Sequence, residues 1–341
     1  MAAPQPAGGD VRSAVLSRIY NLDWAYVAGP PPAEALLKLS PEDFCVDEEL
    51  GFEPCGEGEH VYLHLRKRGD NTAWLARQIA RLANVESRDV GFCGLKDRNA
   101  VTRQWFSIYL PKAEEPDWYR LASDSVSVLQ VTRHRQKLRR GTHSANRFKI
   151  CLRQILGVDG ADLQQRLARV AEQGVPNYFG PQRFGIDGNN LREAERLLVE
   201  GGKIRNRQQR GLILSAARAY LFNLVLDSRV RDGSWLLSIE GEPLIDGLPS
   251  GPLWGRGRLA GSLSSVELEE AVLRPWHAWC EGLEHVGLQQ ERRRLLCRPQ
   301  DFRAQLQSDG LQVEFRLPPG GFATTVLREI CRLKEASEGV L

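Results

Sequence analysis

The chain has 341 residues, enough for two domains or one large one, and its 42% apolar and 26% charged residues are those of an ordinary globular protein. No apolar run approaches the roughly 20 residues of a membrane-crossing helix, and the seven cysteines form no CxxC pair, which argues against a disulfide framework and a thiolate zinc site. The formal charge of +3 decides little, but its distribution along the chain decides more.

Residues 1–10 are rich in Ala, Pro and Gly without a basic or an apolar block, so they read as a frayed tail and not as a signal peptide. A cytoplasmic protein is expected. Acidic residues crowd between Glu42 and Glu59. Residues 59–66 alternate apolar and polar side chains, the pattern of a half-buried strand. Asn71 or Thr72 then caps a predicted helix with Trp74, Leu75, Ile79 and Leu82 on one face. A short strand at 90–93 leads into the turn Gly94-Leu-Lys-Asp97, and 103–110 alternates again as its partner strand. Two more strands are predicted at 126–131 and 148–152. Residues 125–158 contain no acid but carry Arg133, Arg135, Lys137, Arg139, Arg140, Arg147, Lys149 and Arg153. That is either a basic face for a polyanion or a solvated charged face.

Beyond residue 157 the pattern turns helical. Helices are predicted at 161–173, where Gly174 suits a left-handed C-terminal cap, at 191–199 and at 215–230. Gly and Pro make 233–262 a loop region, and a helix over 266–273 runs up to Pro275. Alternation returns at 311–317, followed by Pro318-Pro319-Gly320-Gly321 and a last predicted helix over 324–333. Strands at both ends of a helical block make an α+β pattern in which the middle is an insertion.

The densest chemical cluster spans 91–105. A Gly-bounded turn between apolar strands can hold one side chain rigidly at a sheet rim. Asp97 occupies that turn among Lys96, Arg98 and Arg103, cations that favour a nucleophilic carboxylate. An aspartate that merely caps the turn fits the spacing as well. The loop 174–185 mixes Tyr178, Phe179 and Phe184 with Asn177, Gln182 and Arg183, which suits an RNA surface or an interdomain hinge. Residues 202–210, with Arg205 and Arg207, form a second acid-free basic stretch suited to phosphate. The six histidines form no HExxH pair, and neither GxGxxG nor GxxxxGK[ST] occurs, so no metal or nucleotide cofactor is expected.

Gly94-Leu-Lys-Asp-Arg-Asn-Ala-Val-Thr-Arg-Gln104 resembles the GxKDxxAxTxQ signature of the TruD family of pseudouridine synthases. Pro41-Glu-Asp-Phe44, Gly56-Glu-Gly-Glu-His60, Arg133-His-Arg-Gln-Lys-Leu-Arg139, Asn146-Arg-Phe148, the 174–185 loop, Ser215-Ala-Ala-Arg218 and Gly320-Gly-Phe-Ala-Thr-Thr325 resemble further blocks of that family, in its order. The resemblance implies a catalytic domain with a central antiparallel sheet, formed by residues 1–172 and 305–341, and a mostly helical inserted domain over 173–304. It implies an isomerase that converts uridine 13 of tRNA into pseudouridine without a cofactor. Asp97 matches the catalytic aspartate and Lys38 its basic partner. Phe44, Asn146 and Phe322 match substrate-pocket residues, and Phe148 stands where related synthases use tyrosine. Ala145 departs from the pattern, which has glycine there. Arg133, Arg135, Lys137, Arg139, Arg140, Arg183, Arg205 and Arg207 are the expected RNA-binding cations. tRNA is thus the expected partner of a monomer that uses neither membrane nor metal. The alternative is a non-catalytic RNA-binding or RNA-folding protein on the same scaffold.

Overall fold

Strands with one apolar face cannot bury that face alone, and the first half of this chain solves the problem by joining its strands into one sheet. The computed structural model describes residues 20–111 and 114–335; the tail expected at 1–10 lies outside them. The first half contains β1 (Glu34–Leu37), β2 (Phe44–Glu49), β3 (His60–Arg68), α1 (Thr72–Leu82), β4 (Val90–Phe92), β5 (Val101–Tyr109), β6 (Val126–His134), β7 (Ala145–Leu156), α2 (Gly160–Gln173) and β8 (Val175–Pro176). The middle contains α3 (Asn189–Leu198), α4 (Arg207–Arg231), β9 (Ser250–Leu253), α5 (Leu263–Leu273), α6 (His277–His285), β10 (Glu291–Arg294) and β11 (Leu296–Cys297). The chain then returns to the sheet with β12 (Gln300–Gln307), β13 (Gly310–Leu317), α7 (Ala323–Leu327) and β14 (Arg332–Glu335).

The main sheet runs β12-β13-β7-β2-β5-β3-β6, with β1, β14 and β4 paired off that path. It is antiparallel except for β2 with β5 and β1 with β14. Side chains alternate cleanly on β2, where Phe44, Val46 and Glu48 point inward and Cys45, Asp47 and Glu49 are half-buried. One core joins Phe44, Val46, Phe148, Ile150 and Phe315 to Leu163 and Val170 of α2. Another packs Leu75 and Ile79 of α1 on Val61, Leu63, Phe106 and Ile108. Asn71 caps α1 as expected, accepting from Ala73 N and Trp74 N, but Trp74 lies off the buried face and is 40% exposed.

A third core belongs to the helical half, around Tyr220, Phe222, Trp276 and Trp279. Chain from outside the helices completes it. Trp24 is buried there and stacks on Tyr178 at 5.8 Å. Ala25 N donates to Asp227 Oδ1 at 2.6 Å, and Phe322 packs on the same core.

Several elements differ from their predicted extents for physical reasons. The basic stretch before residue 215 is helical, since α4 starts at Arg207 with Asn206 capping Gln208 N and Gln209 N; its polar residues simply carry no apolar period. Pro275 does not stop the helical chain, because it sits in the 3₁₀ turn Arg274–Trp276, where its missing N–H costs nothing. The predicted last helix ends at Leu327. Residues 332–335 instead pair in parallel with β1, and the Ala33 carbonyl just before β1 accepts from Arg332 N at 2.8 Å. Among the described residues no helix is long and apolar enough to cross a membrane.

Candidate active site

Because β2 and β5 run parallel, with Cys45 opposite Val101, the segments that precede them arrive at the same end of the sheet. One carries Lys38 and the other Asp97. The turn bearing Asp97 is fixed by buried polar groups. Gln104 Nε2 donates to Gly94 O at 2.6 Å, and Thr72 Oγ1 accepts from Lys96 N at 3.0 Å. Lys67 Nζ donates to the Asp97 and Asp70 carbonyls at 2.9 and 2.7 Å. Thr72, Gln104 and Lys67 are fully buried. Burial pushes the Lys67 ammonium down to about 8, against the opposing pull of the Asp70 and Asp97 charges.

The Asp97 side chain is 41% exposed, and its Oδ2 accepts from Lys38 Nζ, itself 13% exposed. Lys38 Nζ lies 4.7 Å over the Phe44 ring. Its φ of 60° is in the left-handed region, a strain that persists only where the surroundings over-determine it. Phe44 meets Phe148 edge-on at 6.1 Å, and Phe148 stacks on Phe315 at 5.4 Å. Lys38, Phe44, Asp97 and Phe148 are therefore one cluster.

The other expected cations turn elsewhere. Lys96 is paired with Glu48, Arg98 donates to Gly69 O at 3.3 Å, and Arg103 pairs with Asp47 at 2.8 Å. Glu48 is fully buried, and Trp105 N donates to its other oxygen at 3.2 Å. Burial pushes the Glu48 carboxyl up, against the pull of Lys96. Next to it lie Cys93 and His143, which with Glu48 bring one possible ligand atom each within 4.8 Å of one another, a grouping that the spacing 48, 93, 143 could not reveal. The Lys96 ammonium already compensates the carboxylate of this set, and burial pushes the Cys93 thiol up to about 11. Burial also pushes the His143 imidazole down to about 4. His143 Nε2 lies 3.0 Å from Asn146 Nδ2, which leaves Asn146 Oδ1 without a partner.

Phe322 leaves the sheet and packs against the helical half. Strand β13 ends with Leu317 opposite Asn146, and the following turn delivers Phe322 edge-on to Phe179 at 5.8 Å. The Arg183 guanidinium lies 5.6 Å from Phe179 and 5.9 Å from Phe322. Arg293 lies 4.2 Å over Phe179 and donates to Gly320 O at 3.0 Å, two residues before Phe322. Burial pushes Arg293 down to about 10 and lowers Arg183 as well. The sequence does not single out Arg293, since nothing distinguishes it within Glu291–Arg294. The loop 174–185 is largely internal, with Tyr178, Phe179 and Phe184 buried.

The basic residues divide. Arg133 is committed to Gly58 O, Leu110 O and Glu115, Arg135 to Glu57, and Lys137 to Arg88 O. Arg183 brackets aromatic rings and reaches Ser215 Oγ at 3.3 Å. Arg139, Arg140, Arg205 and Arg207 are exposed.

A family model described as tRNA pseudouridine synthase D (TruD) matches residues 23–205 and 246–330. The chain is 52% identical to tRNA pseudouridine synthase D of Cellvibrio japonicus over 92% of this chain and 94% of that protein. It is 46% identical to the Aeromonas hydrophila protein of the same name, over 92% and 96%. The fold is also that of a Methanosarcina mazei crystal structure assigned as tRNA pseudouridine synthase D, with a TM-score of 0.64 at 21% identity over 92% of this chain and 96% of that one. Matches that run through both the sheet and the helical half, at identities this high, leave one assignment: the chain belongs to the TruD family of tRNA pseudouridine synthases.

Proposed function

We propose that this chain isomerises uridine to pseudouridine in tRNA, at uridine 13, with Asp97 as the catalytic group and no cofactor. The reaction breaks N1–C1′ and forms C5–C1′. The proton lost from C5 is balanced by one gained at N1, so nothing is oxidised or hydrolysed. An aspartate can serve by attacking the ribose or the base, or by accepting a ribose proton. The observation that carries the reading is the setting of Asp97. It is a partly exposed carboxylate with the ammonium of Lys38 against it and the Phe44 ring beyond. The hydrogen bond from Lys38 orients the carboxylate.

The target uridine must leave its stack, at a cost of a few kcal/mol. Stacking on Phe322 or Phe44 offsets that by about 1–3 kcal/mol. Phe148 backs Phe44, and Asn146, whose buried amide oxygen has no protein partner, supplies a polar side chain beside them. Arg139, Arg140, Arg205 and Arg207 hold phosphates. The enzyme acts as a cytoplasmic monomer, with the sheet as its catalytic domain and the helical half as an inserted one. Asp97→Asn is expected to abolish pseudouridine formation on unmodified tRNA while binding stays within a few-fold; normal turnover by that variant overturns the assignment.

A further inference from the structure

The Ser215-Ala-Ala-Arg218 motif has no part in the steps above. It lies on α4, and its two polar side chains wall a cavity of about 140 Å³ with Phe179, Gly211, Leu214 and Leu253. A cavity of similar size takes up a benzene-sized ring. Phe179 is shared: one part of it lines the cavity, and its ring also meets Phe322. One aromatic ring therefore separates this cavity from the residue proposed to stack on the target uracil.

The polar walls hold donors that the protein leaves uncommitted. Ser215 Oγ accepts from Arg183 Nη1 at 3.3 Å, and no protein acceptor takes its proton among the described residues. Arg218 Nη2 donates to Leu253 O at 2.7 Å, to Gln289 O at 2.8 Å and to Glu291 at 3.1 Å, which fixes the guanidinium in place. Its Nε is buried with no partner, and Nη1 has no protein acceptor among the described residues. Gly211 borders the cavity, and the exposed Lys203, Arg205 and Arg207 lie just before it in the chain. Apolar walls, unsatisfied donors and a cationic approach are together what an unstacked nucleobase on an anionic strand requires.

We propose that this cavity receives a second, unpaired base of the RNA, distinct from the isomerised uracil and presenting a carbonyl or ring-nitrogen acceptor to Ser215 and Arg218. It thereby selects which RNAs are bound. The proposal rests on the reading of the chain as a tRNA-modifying enzyme.

The test is equilibrium binding of the full-length protein to unmodified tRNA and to a set of transcripts, each lacking one base near the target. Wild type is expected to lose about tenfold in affinity when one particular base is missing. Gly211→Leu places a side chain at the cavity wall where a Cβ meets no atom within 4 Å, and leucine is the better helix former, so folding is retained. Gly211→Leu should bind intact tRNA several-fold more weakly than wild type and lose nothing further on the transcript missing that base. Ser215→Ala should show the same pattern more weakly. Three outcomes each overturn the proposal: wild type insensitive to every missing base, Gly211→Leu binding intact tRNA as wild type does, or the missing-base penalty persisting in full in both variants. Because the readout is binding, a wild type that binds in this base-dependent way yet forms no pseudouridine would refute the role of Asp97 and leave the cavity assignment standing.

Discussion

His143 shows what burial does to a single titratable side chain near the site. It is 7% exposed, its Nδ1 has no partner, and the imidazole stays neutral down to about pH 4, whereas the unfolded chain takes up that proton near 6.5. The unfolded state therefore binds more protons between those values. The stability that neutral His143 contributes is present in full above about pH 6.5 and is lost as pH falls toward 4, by about 1.4 kcal/mol per unit of difference. Thermal unfolding between pH 7 and 4.5 should show a smaller loss for His143→Gln than for wild type; equal slopes would refute this account. Two other buried charges are within reach of the sequence. Lys67 and Glu48 continue the inward registers of Val61, Leu63, Leu65 and of Phe44, Val46. A charge at an inward position is the signal for a buried partner, and alternation alone supplies that signal. What alternation cannot supply is the partner itself. Sequence spacing makes Lys96 a neighbour of Asp97, yet its side chain turns to Glu48, forty-eight residues away.

At the scale of elements, the Lys96–Glu48 pair ties the turn that bears Asp97 to β2, with side chains 6% and 0% exposed. Removing one partner of such a pair leaves a buried charge uncompensated, at a cost of about 3–5 kcal/mol. Lys96→Met should destabilise by that order and lower turnover further through displacement of Asp97, for which about a hundredfold is typical of a 1 Å error. Adding Glu48→Leu to it should recover stability without recovering turnover, as denaturant melts and single-turnover rates would show. Recovery of both would mean that the pair has no positioning role. The strands of the first half are legible in the sequence because period-two alternation and turns bound them. β12 carries no such signal, since its residues are polar and largely exposed and it joins the sheet only through the ladder with β13. β14 is hidden for the opposite reason: its predecessors Ile330 and Cys331 are buried, and their apolar character extends a helical period that the edge of β1 interrupts.

Across the whole molecule, the cations of the basic stretches are not equivalent. Arg133, Arg135 and Lys137 are engaged by protein acceptors, whereas Arg139, Arg140, Arg205 and Arg207 are exposed and are the ones proposed to meet phosphate. Neutralising Arg139, Arg140, Arg205 and Arg207 together should reduce the slope of log Kd against log salt by about three, at roughly 0.7–0.9 per phosphate contact. Arg133→Gln should leave that slope alone and lower the melting temperature, because its guanidinium serves Gly58, Leu110 and Glu115. A slope unchanged in the fourfold variant would place the RNA on another face. The stacking of Trp24 on Tyr178 and the docking of Phe322 carry a different consequence. The helical half is plugged by an indole that arrives before the sheet begins and by a phenyl ring that arrives after β13, just ahead of the last strand. Recombination or engineering that grafts only the intervening stretch onto another synthase would transplant a core with two sockets open, so the unit that can be exchanged is three separate pieces of chain and not one.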